Sequence, residues 1–242
     1  MTGLEVYGNS GSAETQSLCM VLELLHLEYK FKNVNVADEE HKVYEFIALN
    51  PEMTLPVLVD GSLVVTNSRA AITYLVSTYG DLHSNDLYPE EPSLRALVDQ
   101  RLYFNAGTFS KRFQECVVPV YLKITTNIDK ETKKSLIEAI QWFDEMLVNG
   151  FVAGDSITVA DVDFLPIVSA LEACKLIELK QWKNLSQWLL IMKKEIPNYQ
   201  QTCGTDAEIF GKEFLSNYNK KSKIKVKLLK KFNKGIFICS ED

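Results

Sequence analysis

Within the first eighty or so residues, apolar positions switch between a period of two and a period near 3.6, and few architectures accept the order that results. "LEVYG" (residues 4–8) reads as a short strand. After the turn "NSGSA", Leu18, Val21, Leu22, Leu25 and His26 recur at helical spacing. "EYKFKNVNV" alternates like a half-buried strand, and "EEHKVYEFIAL" has the pattern of a short helix. "VLVD" and "LVV" then flank "DGS" as an antiparallel hairpin, and Thr66 or Asn67 caps a helix carrying Ala70, Ala71, Tyr74 and Leu75. The sum is β-α-β-α-β-β-α, a small α/β domain whose β-α-β half demands a parallel strand pair.

The second half of the chain has another texture. "GDLHSNDLYPEEPS" is polar and turn-rich, so residues 81–90 are taken as a linker between a domain at 1–80 and one at 91–217. Helical patterns follow at about 91–120, interrupted near Pro119, and at 131–149, with Ile137, Ile140, Phe143 and Leu147 on one face. In "GDSITVADVDF", Thr158 is an N-cap, Asp161 stands at the third position, and Ile157 and Val162 occupy the staple positions. Further helices are expected at 182–195 and 206–217, completing an all-α second domain.

Charge and cysteine usage narrow the function classes. Eight lysines and no acid lie between Lys220 and Lys234, so residues 1–219 hold 18 basic and 30 acidic side chains, a net of −12. Such a body repels nucleic acid. No apolar run approaches the roughly 18 residues of a membrane span, and "MTGLEVYGNS" lacks signal-peptide character, so a cytosolic protein without stable membrane insertion is expected. Five scattered cysteines without C-x-x-C, and three histidines far apart, signal neither a disulfide framework nor a metal site. The missing C-x-x-C also argues against a dithiol redox protein.

Five stretches in register carry a resemblance: "GSAETQSLCMVLELLHLEY", "HKVYEFIALNPEMTLPVLVDG", "NSRAAITYLVSTYG", "LYPEEPSLRALVDQRLYFNAGT" and "AGDSITVADVDF". From about residue 4 to 216 the chain resembles the glutathione transferases, most closely the insect delta and epsilon classes. The resemblance implies a thioredoxin-like N-terminal domain followed by a helical one, glutathione as co-substrate, a small hydrophobic electrophile as second substrate, and a homodimer. Glutathione is a peptide with a carboxylate at each end and a thiol between. Its site therefore needs a strand edge, anion holders and a device favouring thiolate.

The resemblance assigns each part. Pro56 would be cis, turning the backbone of Leu55 outward to pair with the cysteinyl portion, as in strand addition. Read from the residues alone, Pro56 simply starts a strand. Ser68 and Arg69 open a helix whose N-terminus favours an anion, here the γ-glutamyl carboxylate. From spacing alone, Ser68 is equally a helix-start residue and Arg69 a solvated or dimer-facing charge. Three hydroxyls compete for the thiolate, Tyr7, Ser10 and Ser12, and alignment with the family's G-S-A-P-C-R pattern favours Ser12 over the runner-up Tyr7. The residues alone make Ser12 an N-cap. Lowering a thiol pKa from about 8.5 by roughly two units takes about 2.7 kcal/mol, within reach of a hydroxyl hydrogen bond plus a helix N-terminus. The electrophile pocket would lie between the domains, lined by Ala106, Phe109, Ser110, Phe113 and Val117 with Tyr121 nearby, although apolar residues at this spacing also make a core.

The chain departs from the family pattern at telling places. Met53 stands where the delta pattern N-P-Q-H-T-V-P has a histidine for the glycyl end, and methionine donates no hydrogen bond, which leaves for that role His41, matching a second family histidine, although from the residues alone His41 is equally an exposed helix residue. Asn67 replaces an acid facing the γ-glutamyl ammonium, a loss of about 1–2 kcal/mol. Glu14, Thr15 and Gln16 replace Pro, Cys and Arg, and Glu14 sets a negative charge beside the nascent thiolate. Two functions are therefore weighed: an enzyme conjugating glutathione to hydrophobic electrophiles, and a catalytically weak protein of the same fold that binds apolar ligands or a partner. Residues 218–242 form a basic extension with no family counterpart, in which Ile224, Leu228, Leu229 and Phe232 share one helical side. It reads as a disordered tail or as a membrane-surface or partner-binding segment.

Overall fold

The computed structural model of the chain describes residues 3–81 and 85–218. The N-terminal part is a four-stranded mixed sheet in the order β2-β1-β3-β4. Strand β1 (Leu4–Gly8) runs parallel to β2 (Lys30–Asn33) and antiparallel to β3 (Val57–Asp60), which pairs with β4 (Leu63–Val65). In β1, Leu4 and Val6 are buried while the residues between them are half-buried, the alternation read from "LEVYG". The hairpin closes through Gly61 and Ser62, and Gly61 takes φ of +59°, which glycine adopts without steric cost.

Helices α1 (Ala13–Leu24) and α3 (Ser68–Tyr79) cover one sheet face through Leu18, Val21, Leu22, Ile72 and Leu75, all at 0% exposure. The opposite face carries α2 (Tyr44–Leu49), where Phe46 joins Val34 and Val57 in a separate small cluster that includes Tyr7 and Leu55. The chain is less regular here than its pattern implies. "EEHKVYEFIAL" gives a single 3₁₀ turn at Glu40–Lys42, then extended Val43, then α2, because only Phe46 of this helix has a core to bury into. "EYKFKNVNV" forms ladder only over Lys30–Asn33, opposite Glu5–Gly8. His26 lies past the end of α1 in a left-handed conformation and is exposed. Ala70 is exposed as well, and Asn67 rather than Thr66 caps α3, accepting from the Arg69 and Ala70 N–H groups at 3.0 and 3.3 Å.

The second part is all-helical. Its first long segment divides into α4 (Pro92–Phe104), a π-helical turn (Asn105–Phe109), α5 (Ser110–Cys116) and α6 (Val118–Tyr121). The break at Val117 falls just ahead of Pro119, whose nitrogen has no hydrogen to offer the preceding turn. Helix α7 (Lys130–Met146) buries Leu136, Ala139, Ile140 and Phe143, with Leu147 just beyond its end, while Ile137 is only half-buried. Rings of Phe109, Phe143, Phe164 and Trp188 form the middle of the core, with Phe143 stacked on Phe164 at 4.4 Å.

Helix α8 (Val159–Cys174) runs through that core and begins in a capping box between Thr158 and Asp161. Asp161 is wholly buried and accepts four hydrogen bonds, from the Thr158 N–H and hydroxyl and from the Val152 N–H, each at 2.9 Å, and from the Trp188 indole at 2.8 Å. Burial pushes its carboxyl up from the usual range, against the pull of those donors. Helices α9 (Lys183–Glu195) and α10 (Thr205–Asn217) complete the bundle. Gly211 lets α10 close on α8, since a Cβ there would meet the Ala173 carbonyl oxygen at 2.5 Å. One core runs unbroken from Leu4 and Val6 of the sheet through α1 to α8 and Phe214. Among the described residues no helix is long and apolar enough to cross a membrane. The lysine-rich stretch from Lys220 lies outside the described residues.

Candidate functional site

Strand pairing brings several chain ends to one edge of the sheet. The C-terminal ends of β1 and β4 and the N-terminal start of β3 lie side by side, because Tyr7 faces Val57 and Val65 faces Leu58. The turn leading to α1, the residues opening α3, and Leu55–Pro56 ahead of β3 all leave from that edge. The Leu55–Pro56 peptide is cis. The preceding turn is built by buried Asn50, whose amide donates to the Thr54 carbonyl at 2.9 Å and whose oxygen accepts from the Glu52 N–H at 3.0 Å. Met53 sits in this turn with φ of +55° and is exposed. His41 lies in the 3₁₀ turn before α2, and its Nδ1 is buried without a hydrogen-bond partner.

Ser12 is the N-cap of α1. Its oxygen accepts from the Thr15 N–H at 3.4 Å, a long bond, and its hydroxyl donates to Glu14 Oε2 at 3.0 Å. The side chain is half-buried. Of the competing hydroxyls, Ser10 is exposed in the turn. Tyr7 points to the α2 face, donating to Glu5 at 3.2 Å, accepting from Lys32 Nζ at 2.5 Å and packing on Phe46. Tyr7 is therefore turned away from the start of α1.

Ser68 and Arg69 open α3 as expected, but Arg69 is neither solvated nor on an outer face. Its Nε donates to Asp163 Oδ2 of α8 at 2.8 Å, and its Nη2 reaches Ser110 Oγ at 3.5 Å. Asp163 is 1% exposed in its side chain and also accepts from the Asn105 amide at 2.6 Å, while Ser110 donates to the Asn105 oxygen at 3.0 Å. Arg69, Asp163, Asn105 and Ser110 thus close a ring of polar contacts between the domains. Burial raises the Asp163 carboxyl to about 6 and outweighs the opposing attraction of Arg69, with Glu14 adding a smaller upward push. Sequence reading missed Asp163 and Asn105. The signal was two aspartates inside the otherwise apolar run "ITVADVDFLPIV", which only paired or hydrogen-bonded carboxylates tolerate.

Between α1, α5, α6, α8 and α10 lies a cleft of about 150 Å³ whose walls include Phe113, Val118, Ile167 and Phe210, with Glu14 and Asp206 also lining it. Gly11 and Ala13, the neighbours of Ser12 in sequence, line it too. Of the residues expected to form a pocket, Phe113 does face this cleft, and Tyr121 backs it by stacking on Phe210 at 4.2 Å. The others lie elsewhere: Phe109 and Val117 are wholly buried core residues, Ser110 belongs to the polar ring, and Ala106 is exposed. The reason is the π-helical turn at Asn105–Phe109, which adds a residue to the turn and rotates the helix faces that regular spacing had aligned. Cys19, Cys116, Cys174 and Cys203 are buried, and burial pushes the thiols of Cys19 and Cys116 up to about 11 and those of Cys174 and Cys203 up to about 12. None of these four is a competent nucleophile near neutral pH.

The fold and site define a thioredoxin-like domain with a cis-proline edge, joined to a helical domain across a cleft lined in part by the residues that flank the α1 N-cap. Residues 2–77 match the family model "Glutathione S-transferase, N-terminal domain", and residues 113–193 match "Glutathione S-transferase, C-terminal domain". The chain is 34% identical over 218 residues to Glutathione S-transferase 2 of Anopheles gambiae, covering 88% of this chain and 99% of that one. It superposes with a TM-score of 0.82 on a delta-class glutathione transferase of Nilaparvata lugens, at 32% identity over 88% of this chain and 99% of that chain. An epsilon-class enzyme of the housefly, Musca domestica, gives 0.81 at 30% identity, over 88% and 98%. The chain belongs to the glutathione S-transferase family and is a glutathione transferase.

Proposed function

We propose that this protein conjugates reduced glutathione to small hydrophobic electrophiles, in a detoxifying role in the cytosol, with the Ser12 hydroxyl holding the cofactor sulfur as thiolate. The observation that carries this reading is the place of Ser12: it caps α1 next to residues that line an apolar cleft, and its hydroxyl oxygen is engaged in the helix by only a long bond. Oxygen and helix N-terminus together favour S⁻ over SH. The thiol proton passes to solvent, the sulfur lone pair attacks the electrophilic carbon, and the leaving group departs with the electrons of its own bond. Holding both partners in one cleft supplies the orientation.

In this reading the outward-turned backbone of Leu55, set by Pro56, pairs with the cysteinyl portion of glutathione. Ser68 receives the γ-glutamyl carboxylate at the start of α3, beside Asn67. His41 takes the glycyl end through its imidazole, and Met53 contributes no hydrogen bond there. Arg69 acts through Asp163, fixing the start of α3 against α8. Phe113, with Tyr121 behind Phe210, forms the apolar wall for the second substrate. Two copies of the chain associate, which sedimentation velocity tests.

The deciding experiment pairs glutathione titration by calorimetry with conjugation of a chromogenic aryl halide, for the wild type and Ser12→Ala. Binding with turnover that collapses in the variant supports the reading, and absence of glutathione binding at tens of millimolar removes it. A second reading, a weak or inactive member that carries apolar ligands or a partner protein, is favoured by one contact: the Ser12 proton is already given to Glu14. It predicts glutathione binding with little turnover in the wild type.

A further inference from the structure

The cleft beside Ser12 has an unusual charge for an apolar pocket. Its aromatic walls are Phe113 and Phe210, 6.0 Å apart between ring centroids, and stacking with Tyr121 fixes the Phe210 face. Two carboxylates reach it from different elements, Glu14 from α1 and Asp206 from the first turn of α10. Among the described residues no lysine, arginine or histidine lines it. Both carboxylates are half-buried, and neither belongs to an ion pair among the described residues. The amide of Gln16, a polar donor that could have served an anion, is spent on the Ser10 carbonyl at 2.8 Å. Asp163 lies close enough to Glu14 for the two to interact, but its charge is matched by Arg69, so the local field comes from Glu14 and Asp206 within a chain of net charge −6.

We propose that this cleft selects cationic aromatic molecules, amines or quaternary ammonium ions bearing a single ring, over neutral and anionic ones of the same shape. The inference rests on reading the cleft as the electrophile site and names the class of substrate it takes. Low-dielectric walls focus the field of the two carboxylates on the space between them. Aromatic faces add a quadrupole that attracts the same charge. A volume of about 150 Å³ suits one ring. A cation drawn there also lies beside the anionic sulfur, so binding and reaction favour the same ligand.

Calorimetry on the full chain at low ionic strength tests this with three matched probes: benzyltrimethylammonium, its uncharged isostere neopentylbenzene, and phenylacetate. The cation is expected to bind about tenfold more tightly than the neutral isostere, with phenylacetate weakest. That preference should shrink several-fold in high salt. Asp206→Asn should weaken the cation alone by about threefold. The salt series on the wild type needs no variant to fold. Equal or tighter binding of the neutral probe, binding of phenylacetate as good as the cation's, a preference indifferent to salt, or no binding of any probe overturns the inference. A parallel conjugation assay with a neutral aryl halide separates the two claims. Turnover without a cation preference sinks only this inference, whereas a cation preference without turnover sinks only the conjugation reading.

Discussion

Helices α1 and α8 start with the same two ingredients, a hydroxyl at the N-cap and an acid in the first turn, and put them to opposite uses. At α8, Thr158 and Asp161 satisfy each other, and Asp161 also takes up a backbone N–H from Val152 and the indole of Trp188. Everything is buried, and no polar group is left for a ligand. At α1, Ser12 accepts from Thr15 at 3.4 Å and gives its proton to Glu14, and both side chains are half-buried beside a cleft. A completed cap is architecture. An incomplete one, open to solvent, is where a helix N-terminus can serve a bound anion.

Breaking the closed start should cost most. Asp161→Ala leaves buried N–H groups of Val152, Thr158 and Trp188 without acceptors, and an expected loss of about 4 kcal/mol follows, read as a fall in the urea midpoint. At the open start the effect moves from stability to rate. Ser12→Ala should cut kcat/KM about a hundredfold, near 2.7 kcal/mol of transition-state stabilisation, while costing under about 1 kcal/mol of stability.

Glu14→Gln sharpens the contrast in the other direction. Removing the charge that holds the Ser12 proton should raise kcat/KM about fivefold at neutral pH, an estimate of about 1 kcal/mol for a half-exposed carboxylate. A fall in rate would mean that Glu14 assists the serine rather than opposing it. At the ring joining the domains the effect is a slope with pH rather than a single loss. The Asp163 carboxyl is raised to about 6 in the fold, so the native state holds its proton where the unfolded chain releases it. Its contribution to stability is therefore greatest at acid pH and falls as pH rises from about 4 through about 6. Comparing wild type with Asp163→Asn across that window by denaturant titration should show the slope in the former and its loss in the latter.

What the sequence revealed follows from the range of the forces involved. Local signals were readable: the strand alternation in "LEVYG", the glycine turn after Asp60, the Thr158–Asp161 box, and the halt before Pro119 each depend on residues a few positions apart. The family resemblance pointed to the cis peptide at Pro56, which composition and spacing do not encode. Partners far apart in the chain were not legible. Arg69 meets Asp163 across 94 positions and Trp188 meets Asp161 across 27, and neither member of a pair names the other. The expected pocket residues meet this cleft only in part, through Phe113 and Tyr121, for a related reason. A π-helical turn rotated Phe109 and Ser110 out of the register that an ideal helix gave them, and the cleft took its far wall from Phe210, a residue whose helix was expected but whose direction was not.

The proposed catalysis depends on an ionised sulfur beside Ser12, and the bound thiol can be titrated directly. Following the ultraviolet absorbance of the thiolate in the glutathione complex against pH, for wild type and Ser12→Ala, gives its pKa in each. A value about two units below that of free glutathione in the wild type, rising toward the free value in the variant, is the result expected. A bound thiol that titrates at the same pH with and without the Ser12 hydroxyl would contradict it.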